Sequence, residues 1–491
     1  MQKFKNIFLQ NRDLKQKMFK NIFWLSVSQI SRFLRTITLL YSARILGAEE
    51  YGAFSYILGV VGIFSIFSDL GINALITRDA AGDKFRQREY FATGFWIKTL
   101  LAVFTSVMFW LFAPYVVKVP YASQFILLGA FLMLFDNLRD FLIAYLRGME
   151  KMEKETLIVT ILNVTLAISG FLILMSKPTA KDFFFIYTLS SLIATLFATI
   201  ITRNEIRYAL INFKKSMVLE IFKNGWPIAV AGIFGLIMSN IDIFILGIYH
   251  KTNEIGLYSA GQKIIQVLYL LPTLLASGVF PGLAYIIKQK NLDQEKNLNE
   301  KSIGAVLLFT IPLVVGGIIL ADPIFKLLFG HEYTGGIYAF MVLLVSTLII
   351  FPGIMITNLV LAHNEQRALL KFTISASILN VVLGIILIPK HGIMGAAVAS
   401  FFAQIINYVF AWHKMKKVGS FEILPRMKKV VVASIFMGVV TMMMQIIGLH
   451  VLINVFISVI IYFSILFILK EELLREIEDF LKHGTREEVS T

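Results

Sequence analysis

The sequence predicts an all-α polytopic membrane protein of fourteen transmembrane helices, built as two six-helix lobes related by a pseudo-two-fold along the membrane normal, plus two extra C-terminal helices. Three observations carry this. The 491-residue chain is 57% hydrophobic and only 16% charged, with apolar stretches of about twenty residues, the length that crosses a bilayer. Its basic residues sort onto alternate connections. Short motifs recur in the same order at an offset of about two hundred residues, the signature of internal repetition.

The spans follow in order at 22–44, 52–75, 90–113, 121–146, 155–176 and 182–202, then 225–249, 258–286, 303–321, 337–362, 371–389 and 392–413, and finally 429–448 and 450–469. Of 46 Lys and Arg, 34 fall on the N-terminal segment, every second connection and the tail. Seven lie on the other side, and five (Arg32, Arg35, Lys98, Arg139 and Lys263) lie inside spans. By the positive-inside rule both termini are cytoplasmic. The net charge of +15 is therefore topological: it meets anionic membrane lipids, and no nucleic acid is implied. The chain has no cysteine, which excludes disulfides and thiolate metal sites; no metal or cofactor is expected.

The repeats mark the lobes. KNIFW (Lys20–Trp24) opens the first span and KNGWP (Lys223–Pro227) the seventh. EYGAFSY (Glu50–Tyr56) matches EIGLYSA (Glu254–Ala260), and ILNV occurs at Ile161–Val164 and again at Ile378–Val381. The expected organisation is a basic interfacial segment at 1–20, a first lobe at 21–202, a cytoplasmic linker at 203–223, a second lobe at 224–416, an appended helix pair at 417–470 and a cytoplasmic tail at 471–491. Six spans per copy make the repeats parallel, enclosing a central cleft. Pro272 is where span eight is expected to bend.

A charged side chain at the centre of a membrane helix costs about 2.5 to 3.5 kcal/mol, so such residues face a wet cavity or one another. On span one, Gln29, Arg32 and Thr36 share a face, with Arg35 beside it. Span two carries Ser55, Gly59, Gly62, Asp69 and Asn73; span seven Asn240 and Asp242; span eight Ser259, Gln262, Lys263, Gln266 and Tyr269. These are the equivalent helices of the two copies. Arg32 and Arg35, one turn apart, offer planar forks suited to a diphosphate, and Lys263 adds a point charge. Gln29, Asn240, Gln262 and Gln266 complete a cationic, substrate-binding set. The competing reading pairs the arginines with Asp69 or Asp242.

On span four the spacing of Asp136, Arg139 and Asp140 lets Arg139 pair internally or have Lys98 as a further neighbour. The carboxylates either steady the lobe as part of a charge cluster or serve ion coupling, and both readings stay open. Asn163 and Asn380, in the ILNV repeats, read as interhelical hydrogen-bond partners.

ARILGAEEYG (Ala43–Gly52), followed by Phe54 to Tyr56 and FSDLGINALITRDAA (Phe67–Ala81), resembles the N-terminal signature of the polysaccharide-biosynthesis branch of the multidrug/oligosaccharidyl-lipid/polysaccharide exporter superfamily, to which the Wzx-type O-antigen flippases belong. The resemblance implies a non-enzymatic flippase of the bacterial inner membrane. Its implied cargo is an undecaprenyl-diphosphate-linked oligosaccharide, moved from the cytoplasmic to the periplasmic leaflet by alternating access with a proton or Na+ as coupling ion. It also implies a cationic lumen, a feature that Arg32, Arg35 and Lys263 match. Lipid II flipping and cation-coupled drug export compete within the superfamily, although these cations would repel cationic drugs. A membrane polysaccharide polymerase is the alternative of another class; it needs a large outer loop, and the longest here is 321–336.

Overall fold

Long runs of Leu, Ile, Val, Phe and Ala, with Gly and Pro confined to a few positions, fold as helices because a chain surrounded by lipid must satisfy its backbone hydrogen bonds internally. The computed structural model describes residues 14–79, 84–119, 121–176, 178–249, 252–418 and 424–472. Most of the segment 1–20 and of the tail 471–491 lies outside the described residues.

The described secondary structure is sixteen α-helices and two 3-10 turns. In order the helices are α1 (Leu14–Asp69), α2 (Ile72–Asp79), α3 (Lys84–Val116), α4 (Ile126–Gly148), α5 (Met152–Leu174), α6 (Ala180–Ile201), α7 (Arg203–Ile211) and α8 (Lys215–Tyr249). They continue as α9 (Thr252–Leu268), α10 (Leu270–Lys288), α11 (Leu292–Ile319), α12 (Ala321–Leu328), α13 (Ile337–Ala362), α14 (Gln366–Val418), α15 (Leu424–Ile446) and α16 (Val451–Ile468).

Eleven helical stretches among the described residues are long and apolar enough to cross a membrane. The difference from fourteen has local causes. Spans one and two run into each other as α1, broken at Gly47 (φ 75°, ψ 168°). Spans eleven and twelve likewise form α14, broken at Gly392 (φ 54°, ψ −133°). Both breaks use backbone conformations that glycine adopts without a Cβ penalty. Helix α4 is 23 residues long, but Asp136, Arg139 and Asp140 lower its apolar character.

Span eight is interrupted at Tyr269, between α9 and α10. Pro272 lacks the N–H that would bond the Leu268 carbonyl, so the interruption falls one turn ahead of the proline. The expected linker 203–223 is itself largely helical, forming α7 and the start of α8. Helix α6 starts from a capping box, in which the Asp182 N–H donates to the Thr179 hydroxyl (3.3 Å) and the Thr179 N–H to the Asp182 carboxylate (3.0 Å).

Contacts divide the chain into two compact units. The first runs from the described N-terminal residues to Ala260 and includes Gly384–Ile393; the second comprises Gly261–Leu383 and Met394 to the last described residues. The first has a core around Phe91, Phe141, Tyr145 and Ile158. The core of the second gathers Phe351, Ile356, Met415, Val430 and Tyr462. Large apolar side chains such as Trp110, Phe112, Phe436 and Phe456 are exposed, as lipid-facing surface requires.

Within the first unit the two matching motifs touch. A Cβ on Gly52 would overlap the Thr252 carbonyl, and one on Gly256 would overlap the Ala48 carbonyl, so each backbone approaches the other where its copy of the motif has glycine.

Candidate functional site

The first unit holds a cavity of about 660 Å3 whose lining includes Arg32, Arg35, Asp69, Arg139, Asp140, Arg147 and Glu155. Helix α1 brings Arg32 and Arg35 to it on adjacent turns; α4 supplies Arg139, Asp140 and Arg147, and α5 supplies Glu155 and Asn163. Four arginines against three carboxylates make the lining net cationic. How the carboxylates are distributed decides what the cavity can bind.

Each carboxylate already has a partner. Asp69 takes the Lys98 ammonium at 2.9 Å, with Lys98 fully buried and donating also to the Asn137 side-chain oxygen at 3.3 Å. Arg139 bridges Asp136 (2.6 Å) and Asp140 (2.9 Å) and donates to the Ser191 hydroxyl (3.1 Å). Arg147 pairs with Glu155 through both its Nε (3.0 Å) and a terminal nitrogen. A buried charge stripped of its partner is expensive, which explains why these groups come in pairs.

Arg32 and Arg35 differ. Among the described residues neither forms an ion pair with a carboxylate. Arg35 donates to the Tyr187 hydroxyl and lies over its ring, 5.1 Å from the centroid, a contact that orients the guanidinium without neutralising it. Tyr187 is buried and is held in turn by the rings of Phe54 and Phe184. Arg32 is exposed to the cavity. The arrangement leaves two fixed cations for a ligand, one of them preorganised by an aromatic hydroxyl.

The sequence-predicted residues are thus only partly gathered. Arg32, Arg35, Asp69, Arg139 and Asp140 share the cavity. Asp136 and Lys98 stand behind it as partners of lining residues, Lys98 binding Asp69 and the Asn137 side chain. Neither Arg32 nor Arg35 takes Asp69 or Asp242; the latter accepts from the Tyr258 hydroxyl at 2.9 Å. Gln29 is half-buried on α1, outside the lining. The Asn240 side chain donates to the Leu236 carbonyl at 3.0 Å and lies against Gly62. Lys263, Gln262 and Gln266 belong to the second unit, where Lys263 donates to Gln266 at 3.0 Å.

Sequence reasoning missed Arg147, Glu155 and Tyr187. Arg147 and Glu155 are eight residues apart across the short turn between α4 and α5, so an antiparallel pair of helices ending in opposite charges was the available signal. Tyr187 had none. Asn163 donates to the Ser31 hydroxyl at 3.0 Å, linking α5 to α1, and also lines the cavity.

A second cavity, about 620 Å3, lies in the second unit between α10, α11, α15 and α16, lined by residues such as Leu271, Leu313, Met437, Val459 and Phe463. It carries no charged residue.

The family described as polysaccharide biosynthesis protein matches residues 18–286, and MatE matches residues 227–386. The chain is 23% identical over 438 residues to a probable low-salt glycan biosynthesis flippase, Agl15, of Haloferax volcanii, covering 87% of this chain and 89% of that protein. It is 25% identical over 405 residues to a putative O-antigen transporter of Shigella flexneri, covering 78% and 94%. Among solved structures, the lipid II flippase MurJ in an inward closed conformation superposes with a TM-score of 0.74 at 17% identity, over 92% of this chain and all of that one. That likeness is one of fold.

Proposed function

Because the chain belongs to the polysaccharide biosynthesis protein family, in the multidrug/oligosaccharidyl-lipid/polysaccharide exporter superfamily, we propose that it is a flippase for lipid-linked oligosaccharides. The observation that carries the reading is the pair Arg32 and Arg35, presented without carboxylate partners in the net cationic cavity. Two guanidinium forks one turn apart suit the oxygens of a diphosphate, and low-dielectric walls strengthen the attraction. The relatives, a probable flippase and a putative O-antigen transporter, support oligosaccharide transport over polymerisation.

The carrier in this reading is undecaprenyl diphosphate, its head group held in the first unit's cavity. Its polyprenyl tail stays in the surrounding lipid. The protein sits in the bacterial inner membrane with both termini cytoplasmic, as the distribution of basic residues favours. Fourteen crossings in two lobes plus a pair belong to the same reading, supported by the breaks at Gly47 and Gly392 within two of the eleven apolar stretches and by the 23-residue length of α4. Transport proceeds by alternating access, with a proton or Na+ as coupling ion and Asp69, Asp136, Asp140 and Asp242 as the carboxylates available to it. The superposition on a lipid II flippase keeps lipid II as the second reading of the cargo. Cationic drugs are disfavoured by the arginines.

The test is complementation of a strain lacking its own O-antigen or capsule flippase. Arg32→Ala and Arg35→Ala are each expected to abolish surface polysaccharide while the protein remains inserted at normal levels. Normal polysaccharide with both variants overturns the reading, and lipid co-purified with the wild-type protein, identified by mass spectrometry, separates the two cargoes.

A further inference from the structure

Arg139 is held differently by its two carboxylates. Its Nη1 bonds Asp136 and the Ser191 hydroxyl, and that hydroxyl donates back to Asp136, closing a three-membered node between α4 and α6. Its Nη2 bonds Asp140 alone, at 2.9 Å. The Asp136 side chain is 33% exposed and does not line the cavity, whereas the Asp140 side chain is 55% exposed and does. One carboxylate anchors the guanidinium from behind and the other meets it on the open side.

We propose that Asp140 is an internal stand-in for the substrate's anion: it occupies Arg139 Nη2 in the unloaded protein and is displaced when a phosphate binds there beside Arg32 and Arg35. Arg139 is 7% exposed, and a guanidinium so buried is costly to leave bare. A carboxylate on the next residue removes that cost while the cavity is empty. Phosphate oxygens accept from a guanidinium at least as well, and the Asp136 and Ser191 bonds keep Arg139 in register during the exchange. Arg32 needs no stand-in because it is solvated, and Arg35 rests on Tyr187. The other charges around Asp140 are Asp69 and Lys98 on α1 and α3, Arg147 on its own helix and Glu155 on α5. The last three of these carboxylate and basic groups are committed to the pairs described above, as is Asp69, so Asp140 is the one acid that an incoming anion can replace without uncovering a second buried charge.

The inference rests on the reading of the cavity as a diphosphate site, and the experiment separates the two. Farnesyl diphosphate is titrated into the full-length purified protein in nanodiscs. Asp140→Asn is expected to bind it about tenfold more tightly than the wild type, because a like charge beside the ligand has been removed, and to release it more slowly. Asp136→Asn is expected to bind more weakly, having lost the anchor. Equal or weaker binding by folded Asp140→Asn, or undiminished binding by Arg139→Ala, overturns the exchange while leaving the diphosphate site intact provided Arg32→Ala still weakens binding. No binding to the wild type overturns both. Should Asp140→Asn fail to fold, Asp140→Ser removes the same charge and gives the same reading.

Discussion

The cavity of the first unit, about 660 Å3, is walled by four arginines and three carboxylates. That of the second, about 620 Å3, has only Thr441, Ser458 and Tyr462 as hydroxyl-bearing walls. Even these are used up: Thr441 and Ser458 bond each other at 2.7 Å, and Tyr462 donates to the Leu308 carbonyl at 2.6 Å. Cavities of nearly equal size therefore offer a ligand opposite things, unsatisfied cations in one and bare hydrocarbon in the other. What a cavity binds is set by the polar groups left over after the protein has satisfied itself, not by its volume.

Three changes test that contrast. The largest effect is expected from Asp69→Asn, which removes the carboxylate partner of the fully buried Lys98 and strands its ammonium; a loss of about 3 to 5 kcal/mol in folding stability would be read from denaturation of the purified protein. An unchanged denaturation midpoint would show that the first cavity's charges are not bound into its scaffold. Next comes Val459→Arg, which puts a cation into the apolar cavity. It should cost about 2.5 to 3.5 kcal/mol of folding stability, as an unpaired charge in an apolar membrane setting does, read from the same denaturation. An unchanged midpoint would break the contrast, because the second cavity would then tolerate charge as readily as the first. The smallest effect is expected from Arg32→Lys, which keeps the charge but not the planar fork. Partial complementation, with binding of farnesyl diphosphate weakened about threefold, would sharpen the role of fork geometry against that of charge alone.

Much of this was readable in the chain because it depends on local spacing. Arg32 and Arg35 share a wall of one cavity because residues three apart on a helix are neighbours, and Arg139 finds Asp136 and Asp140 for the same reason. The apolar runs and the recurrence of EYGAFSY as EIGLYSA were likewise legible. What escaped depends on packing between helices. Lys98 reaches Asp69 from the next long helix, and Tyr187 meets Arg35 across 152 residues; no periodicity encodes either. The continuity of α1 through Gly47 escaped for another reason. A glycine between two apolar runs reads as a turn, and whether the helical hydrogen bonding resumes at once is decided by what the neighbouring segments pack against.

The crossing at Gly52 and Gly256 has a consequence of its own. Where two helices meet through side chains, knobs sit in holes, and sliding one along the other must first unlock them. Here the backbones meet bare, at the same motif in both places, and the two helices are held at the least separation their main chains allow. A single methyl group added to either glycine would act as a wedge and prise them apart.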